Sequence, residues 1–127
     1  MNKLHRLWHG KRTDTLEWAE LDLAEVAAKN GDIGFAVSLE TLGQCVGFTD
    51  RNRKPIFEDD IVIYHGASGK TCRGRIAYSG NKSRFVMILD SGQTFAVERK
   101  YANCYEVVGN IHDIPRQTEG TEKRTTA

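Results

Sequence analysis

From Ile33 to Ile111 the chain is cut into short apolar runs separated by turn residues, and this rhythm limits the available folds more than any other feature. A helix needs apolar residues three and four apart over ten or more positions. Short runs that alternate or stay wholly apolar, closed by Gly, Asn, Asp, Ser or Pro, fit strands instead. The runs are 33–39 (IGFAVSL), 44–48 (QCVGF), 61–64 (IVIY), 72–78 (CRGRIAY), 84–89 (RFVMIL), 93–98 (QTFAVE) and 105–111 (YEVVGNI). Between the second and third, 49–55 (TDRNRKP) reads as a turn. Asp50 and Asn52 can bond nearby backbone there, and Pro55 forces Lys54 into an extended shape so that Ile56 and Phe57 re-enter in a set direction.

The centre of the chain carries the clearest hairpin. In 72–78, Arg73 and Arg75 fall on one face and Cys72, Gly74 and Ile76 on the other, the period of two expected when one side of a sheet is wet. The run 84–89 is almost continuously apolar, which predicts a central strand buried on both faces. With 93–98 these form a three-stranded meander.

Upstream, 16–29 (LEWAELDLAEVAAK) is rich in helix formers, with Asp14 as candidate N-cap and Asn30-Gly31 as stop signal. One helix is predicted here, although Leu21 and Leu23, two apart, also fit a strand beginning near Leu21. Downstream of Pro115 the sequence has no apolar residue before the terminal Ala127, so 116–127 is predicted to be a disordered tail. The expected organisation is one β domain over 1–115, with 1–32 as a helical extension. A length of 127 residues suits a single domain.

No apolar run approaches the roughly 20 residues that cross a bilayer, and the polar start (Lys3, His5, Arg6, Trp8, His9) lacks the apolar stretch of a secretory signal. The expectation is a soluble, cytoplasmic protein without a membrane partner. The formal charge of +1 names no partner, but its distribution is uneven. Residues 1–13 hold Lys3, Arg6, Lys11 and Arg12 without an acid, and 14–28 hold Asp14, Glu17, Glu20, Asp22 and Glu25 without a Lys or Arg. Mutual neutralisation within the fold is the simplest reading, and an acidic surface for a protein partner the alternative. From 61 to 89 there is again no acid, while Lys70, Arg73, Arg75, Lys82 and Arg84 are candidates for contacting nucleic-acid phosphates, with Tyr78 or Phe85 to stack on bases. The competing reading is a solvated strand face with charges guarding its edges.

Catalytic chemistry is not signalled. No nucleophile elbow, phosphate loop, zinc-protease helix or dinucleotide fingerprint occurs. Cys45, Cys72 and Cys104 lack the spacing of a metal or redox site and read as small buried hydrophobes on strands. The histidines are scattered and predict no metal site. Glu58-Asp59-Asp60 is the tempting carboxylate cluster, but three successive acids entering a strand alternate faces, and the reading is a solvated turn with one acid accepting backbone N–H bonds.

Two segments carry a family resemblance. Residues 45–62 (CVGFTDRNRKPIFEDDIV) and 107–113 (VVGNIHD) resemble, in order and spacing, the two motifs of the YopX family of phage and prophage proteins, covering about 44–115. Arg6 to Trp8 is similar to the family's opening Arg-Ala-Trp. The motif positions here are Gly47, Asp50, Lys54, Ile56, Glu58, Asp60, Ile61, Val62, Gly109, Asn110 and Ile111, which by their turn and strand-end setting are expected to do structural work. The chain departs from the pattern where Arg53 and Asp59 replace glycines and where Pro55 replaces a polar residue. If those glycines have positive φ, Arg53 and Asp59 must strain or the turns must be rebuilt. The resemblance implies a barrel-like β body and transfers no catalytic residue. The expectation is therefore a small antiparallel, SH3-like β-barrel acting without a cofactor as a phage or prophage accessory binding protein. Its candidate partners are nucleic acid, a host protein or a second copy paired through an exposed edge.

Overall fold

The computed structural model describes residues 3–113, which form two antiparallel sheets. The first has β1 (Leu7–Lys11), β2 (Trp18–Asp22), β3 (Gly43–Thr49) and β4 (Pro55–Phe57) in the order β2-β1-β3-β4. The second has β5 (Asp60–His65), β6 (Thr71–Ser79), β7 (Arg84–Leu89), β8 (Thr94–Ala96) and β9 (Tyr105–Asn110) in the order β8-β7-β6-β5-β9. Among the described residues no ladder joins the outer strands of either sheet, so the closed SH3-like barrel of the sequence reading is not found. The mainly β character is. No described helix is long and apolar enough to cross a membrane. The expected tail, 116–127, lies outside the described residues.

The runs at 44–48, 61–64, 72–78, 84–89, 93–98 and 105–111 each became a strand, and β6, β7 and β8 form the expected meander. Its alternation holds: Gly74 and Ile76 are buried while Arg73 is exposed. Val86 and Met87, adjacent in β7, are both buried, as the continuous apolar run implied. Gly74 is required by packing, because a Cβ there would stand 2.6 Å from the Ile88 carbonyl oxygen of the neighbouring strand. The core lies between the sheets, with Phe48 and Ile56 from the first meeting Val62, Ile76, Met87 and Tyr105 from the second.

Two elements differ from the sequence reading. The helix expected over 16–29 is a strand, β2, followed by only six helical residues, α1 (Leu23–Ala28), which bury none of their side chains. Helix propensity lost to pairing: β2 docks along all of β1, from Leu7 opposite Asp22 to Lys11 opposite Trp18. Asp22, not Asp14, caps α1 through its carboxylate on the Ala24 N–H at 2.9 Å. The run 33–39 is not a strand either. Gly34, with φ of 84°, turns the chain, Phe35 lies over the Arg12 guanidinium, and only Val37 makes an isolated bridge, to Arg12. The charge blocks neutralise one another in part, through Arg6 with Asp22 at 2.8 Å and Arg12 with Asp14 at 2.7 Å.

At the two turn positions where the chain departs from the family motif the backbone is left-handed: Arg53 has φ of 65° and Asp59 of 69°. Both residues carry the strain of that conformation. For a residue with a Cβ such a conformation costs about 1 to 2 kcal/mol, less for Asp, whose short side chain tolerates it. Arg53→Gly is therefore expected to raise the unfolding free energy by about 0.5 to 1 kcal/mol after the added freedom of the unfolded chain is subtracted. A denaturant titration with no rise in midpoint would show that Arg53 has a compensating contact.

Candidate functional site

The crossing from one sheet to the other takes a single step. The Glu58 N–H still bonds the Gln44 carbonyl of β3 at 3.0 Å, and the next N–H, of Asp59, bonds the Ile76 carbonyl of β6 at 2.7 Å. The left-handed φ of Asp59 makes that change of direction. The three acids here go separate ways, as alternation required, but the turn is not the solvated one expected, because Asp60 is buried and the other two are half-buried. Glu58 faces the Gln44 N–H at 3.4 Å, Asp59 lies 3.2 Å from both the Arg75 guanidinium and His112 Nε2, and Asp60 turns inward to accept the Phe57 N–H at 2.8 Å.

Asp60 opens onto a cleft of about 340 Å³ between the sheets. The first sheet contributes His9, Trp18, Glu20, Pro55 and Phe57, and the second Asp60, Val107, Gly109 and Asn110, with Asp113 beyond and Lys54 at the rim. The Asn110 side-chain amide donates to Asp60 Oδ1 at 2.9 Å, while its own Oδ1 accepts the His112 N–H at 2.9 Å. Asp113 closes the far side: one oxygen accepts the Asn110 N–H and the other the Trp18 indole N–H, each at 2.9 Å. A β-bulge shapes the same wall. Val62 pairs with Val107 but Ile61 with Gly109, leaving Val108 as the extra residue of β9.

The His9 ring is sandwiched between Trp18 and Phe57, with centroids 4.1 and 3.7 Å away. Burial there holds its pKa down at about 4, against an ordinary 6.5, so it is neutral near pH 7. Its Nε2 is buried without a hydrogen-bond partner. Burial also pushes the Asp60 carboxyl up from 3.8 to about 6; the bonds from Asn110 and Phe57 oppose that and are outweighed. Lys11 is buried beside the stack, its ammonium 5.5 Å from the Trp18 ring centroid.

Of the motif residues, Lys54, Asp60, Gly109 and Asn110 meet at this cleft. Ile56 and Val62 are core. Gly47, with φ of 105°, gives its carbonyl to Arg99 at 3.1 Å. Asp50 ties the turn to β9: one oxygen accepts the Asn52 and Lys54 N–H groups at 2.8 and 2.9 Å, the other the Val107 N–H at 2.8 Å. Glu58 sits at the sheet crossing, and Ile61 and Ile111 line a shallow hollow on the outer face beside Arg73 and Arg75. His9, Trp18 and Glu20 were missed as site residues. With 16–29 read as helix, the alternation that puts Trp18 and Glu20 on one face with His9 could not be seen.

The basic residues gather only in part. Arg75 is paired with Asp59, Lys70 lies in the turn before β6, and Lys82 lies in the turn after it. The nine residues of β6 hold these ends about 30 Å apart. Arg73, Arg75 and Arg84 share a face by register, whereas Tyr78 and Phe85, opposite one another, are on the other. Among the described residues no group of three His, Cys, Asp or Glu is placed to hold a metal ion. Cys45, Cys72 and Cys104 are free thiols; only Cys45 is buried, Cys72 and Cys104 being half-buried, and Cys104 ends a 3₁₀ segment rather than lying on a strand.

The family model described as YopX protein matches residues 3–119. The match takes in β1 and β2, beyond the 44–115 of the motif resemblance. No curated protein matches the chain.

Proposed function

Because the chain belongs to the YopX family, we propose that it is a non-enzymatic, phage- or prophage-encoded accessory protein that binds a polypeptide partner in the bacterial cytoplasm, through the cleft between its two sheets. The observation carrying this reading is His9: a buried ring nitrogen without a partner, on a cleft walled by both the N-terminal strands and the family motif. Such an atom costs about 1 to 3 kcal/mol while unpaired, a cost that a partner recovers if its docking shifts the neighbouring rings enough to reach the nitrogen. The motif's polar groups support binding rather than bond-making. Asp50, Asp60 and Asn110 direct their oxygens to backbone N–H groups and to each other, the work of a scaffold. The rim offers both signs of charge, Lys54 and Glu20, which suits a partner surface of mixed charge.

The test is recovery of a crosslinked partner from lysogenic cells by tagged protein. Glu20→Lys or Lys54→Glu is expected to lower that recovery about tenfold, since rim charges set encounter and register. A joint reversal of Lys70, Lys82 and Arg84 to Glu leaves it unchanged. Recovery indifferent to the cleft variants sinks the proposal. Nuclease-sensitive recovery lost in the hairpin variant would put the nucleic-acid reading in its place, as would salt-sensitive retention on single-stranded DNA.

A further inference from the structure

A second concavity, of about 360 Å³, lies over the inner face of the five-stranded sheet and shares no lining residue with the cleft. Strands β5 to β8 form its floor, and the 3₁₀ segment Arg99–Cys104 closes one side. Its walls are aromatic: Tyr64, Tyr101, Tyr105 and Phe95. Two of these rings are partly open to solvent, Phe95 at 55% exposure and Tyr101 at 38%. The tyrosines meet edge to face. Tyr64 stands at 77° to Tyr101 with centroids 6.4 Å apart, and at 63° to Tyr105 with centroids 5.6 Å apart. Rings set at steep angles make a corner, which fits a compact rounded group better than a flat one such as a nucleobase.

Among the described residues, Glu98 is the one charged group on the wall. The chain itself shows what such a corner attracts. The Lys100 ammonium, outside the cavity, lies 5.2 Å from the Tyr101 ring centroid and 3.8 Å from the Glu98 carboxylate. A cation is drawn to the negative face of an aromatic ring, and more strongly where water is partly excluded. A cation inside the cavity would reach the same carboxylate and the same aromatic corner from the sheltered side.

We propose that this cavity binds a small organic cation of the alkylated-ammonium class, held by the aromatic walls and Glu98, and that Lys100 competes with it from the rim. The volume falls at the small end of ligand sites, which run from about 300 to 1,000 Å³. The proposal stands apart from the cleft: either can fail without the other.

The probes are choline and its neutral tert-butyl analogue, in which carbon replaces the charged nitrogen. Titration of the full chain is followed by the ring resonances of Tyr101 and Phe95. Choline is expected to saturate, with the neutral analogue binding about tenfold more weakly. Glu98→Gln should weaken choline without changing the analogue, and Lys100→Ala should tighten choline. Unchanged far-ultraviolet circular dichroism of both variants establishes that the fold is intact. Glu20→Lys, in the cleft, leaves choline binding as it was. Equal affinity for the two probes, no saturable shift with choline, or no effect of Glu98→Gln each overturns the proposal.

Discussion

Ile76→Ala is expected to lower the unfolding free energy by about 3 to 4 kcal/mol, within the range found when a buried Ile is cut back to Ala. Ile76 has no exposed surface and sits mid-strand in β6, opposite Met87 and within the cluster that joins both sheets. Truncation removes three carbons from the meeting point of the sheets. β6 is the middle strand of five, hydrogen-bonded to β5 on one side and β7 on the other, so its backbone cannot shift inward alone to fill the space. Arg84→Ala, on an exposed end of β7, is the control and should change stability by less than about 0.5 kcal/mol. Urea melts read both. A loss under about 1 kcal/mol for Ile76→Ala would mean that the sheets do not share this core.

The second large effect concerns pH, and it is hidden in the parent protein. Asp60 has its pKa raised on folding, so its favourable contribution is complete below about pH 4 and is lost as pH rises to about 6. His9 has its pKa lowered, so its contribution is complete above about pH 6.5 and is lost as pH falls to about 4. Each gap is worth about 3 kcal/mol. Between pH 4 and 6 the two slopes have opposite sign and nearly cancel. Asp60→Asn removes one of them, and its stability, relative to the parent curve, is expected to climb by about 3 kcal/mol from pH 4 to 6. His9→Phe keeps a ring between Trp18 and Phe57 and removes the other, so its relative stability should fall over the same window. Denaturant midpoints at successive pH values check both signs, because titrations shared by parent and variant drop out of the difference. A difference curve that stays flat for Asp60→Asn would show that folding does not raise the Asp60 pKa.

The cancellation depends on two residues brought together by separate elements. His9 is on β1 and Asp60 begins β5, and fifty residues of chain lie between them. Asp60 was legible in the sequence as a motif residue at a strand end, and its acceptance of a backbone N–H fits that reading. Nothing in the sequence marked His9. Its neighbours Trp18 and Phe57 look like ordinary strand aromatics until the register of β1 with β2 sets Trp18 beside it.

What the sequence determined by itself was local: which segments from 43 onward are extended, where the turns between them fall, and which residues form the family motif. These follow from period-two alternation, wholly apolar runs and turn chemistry, which act over a few residues. Tertiary structure decided the rest. A segment of helix formers became β2 because β1 offered it five paired residues, and the strands divided into two sheets because one peptide step at Asp59 changed partners. The cleft arose where those sheets meet. Partnership between distant strands depends on which edges and faces remain uncovered once the chain collapses, and no short stretch of sequence carries that information.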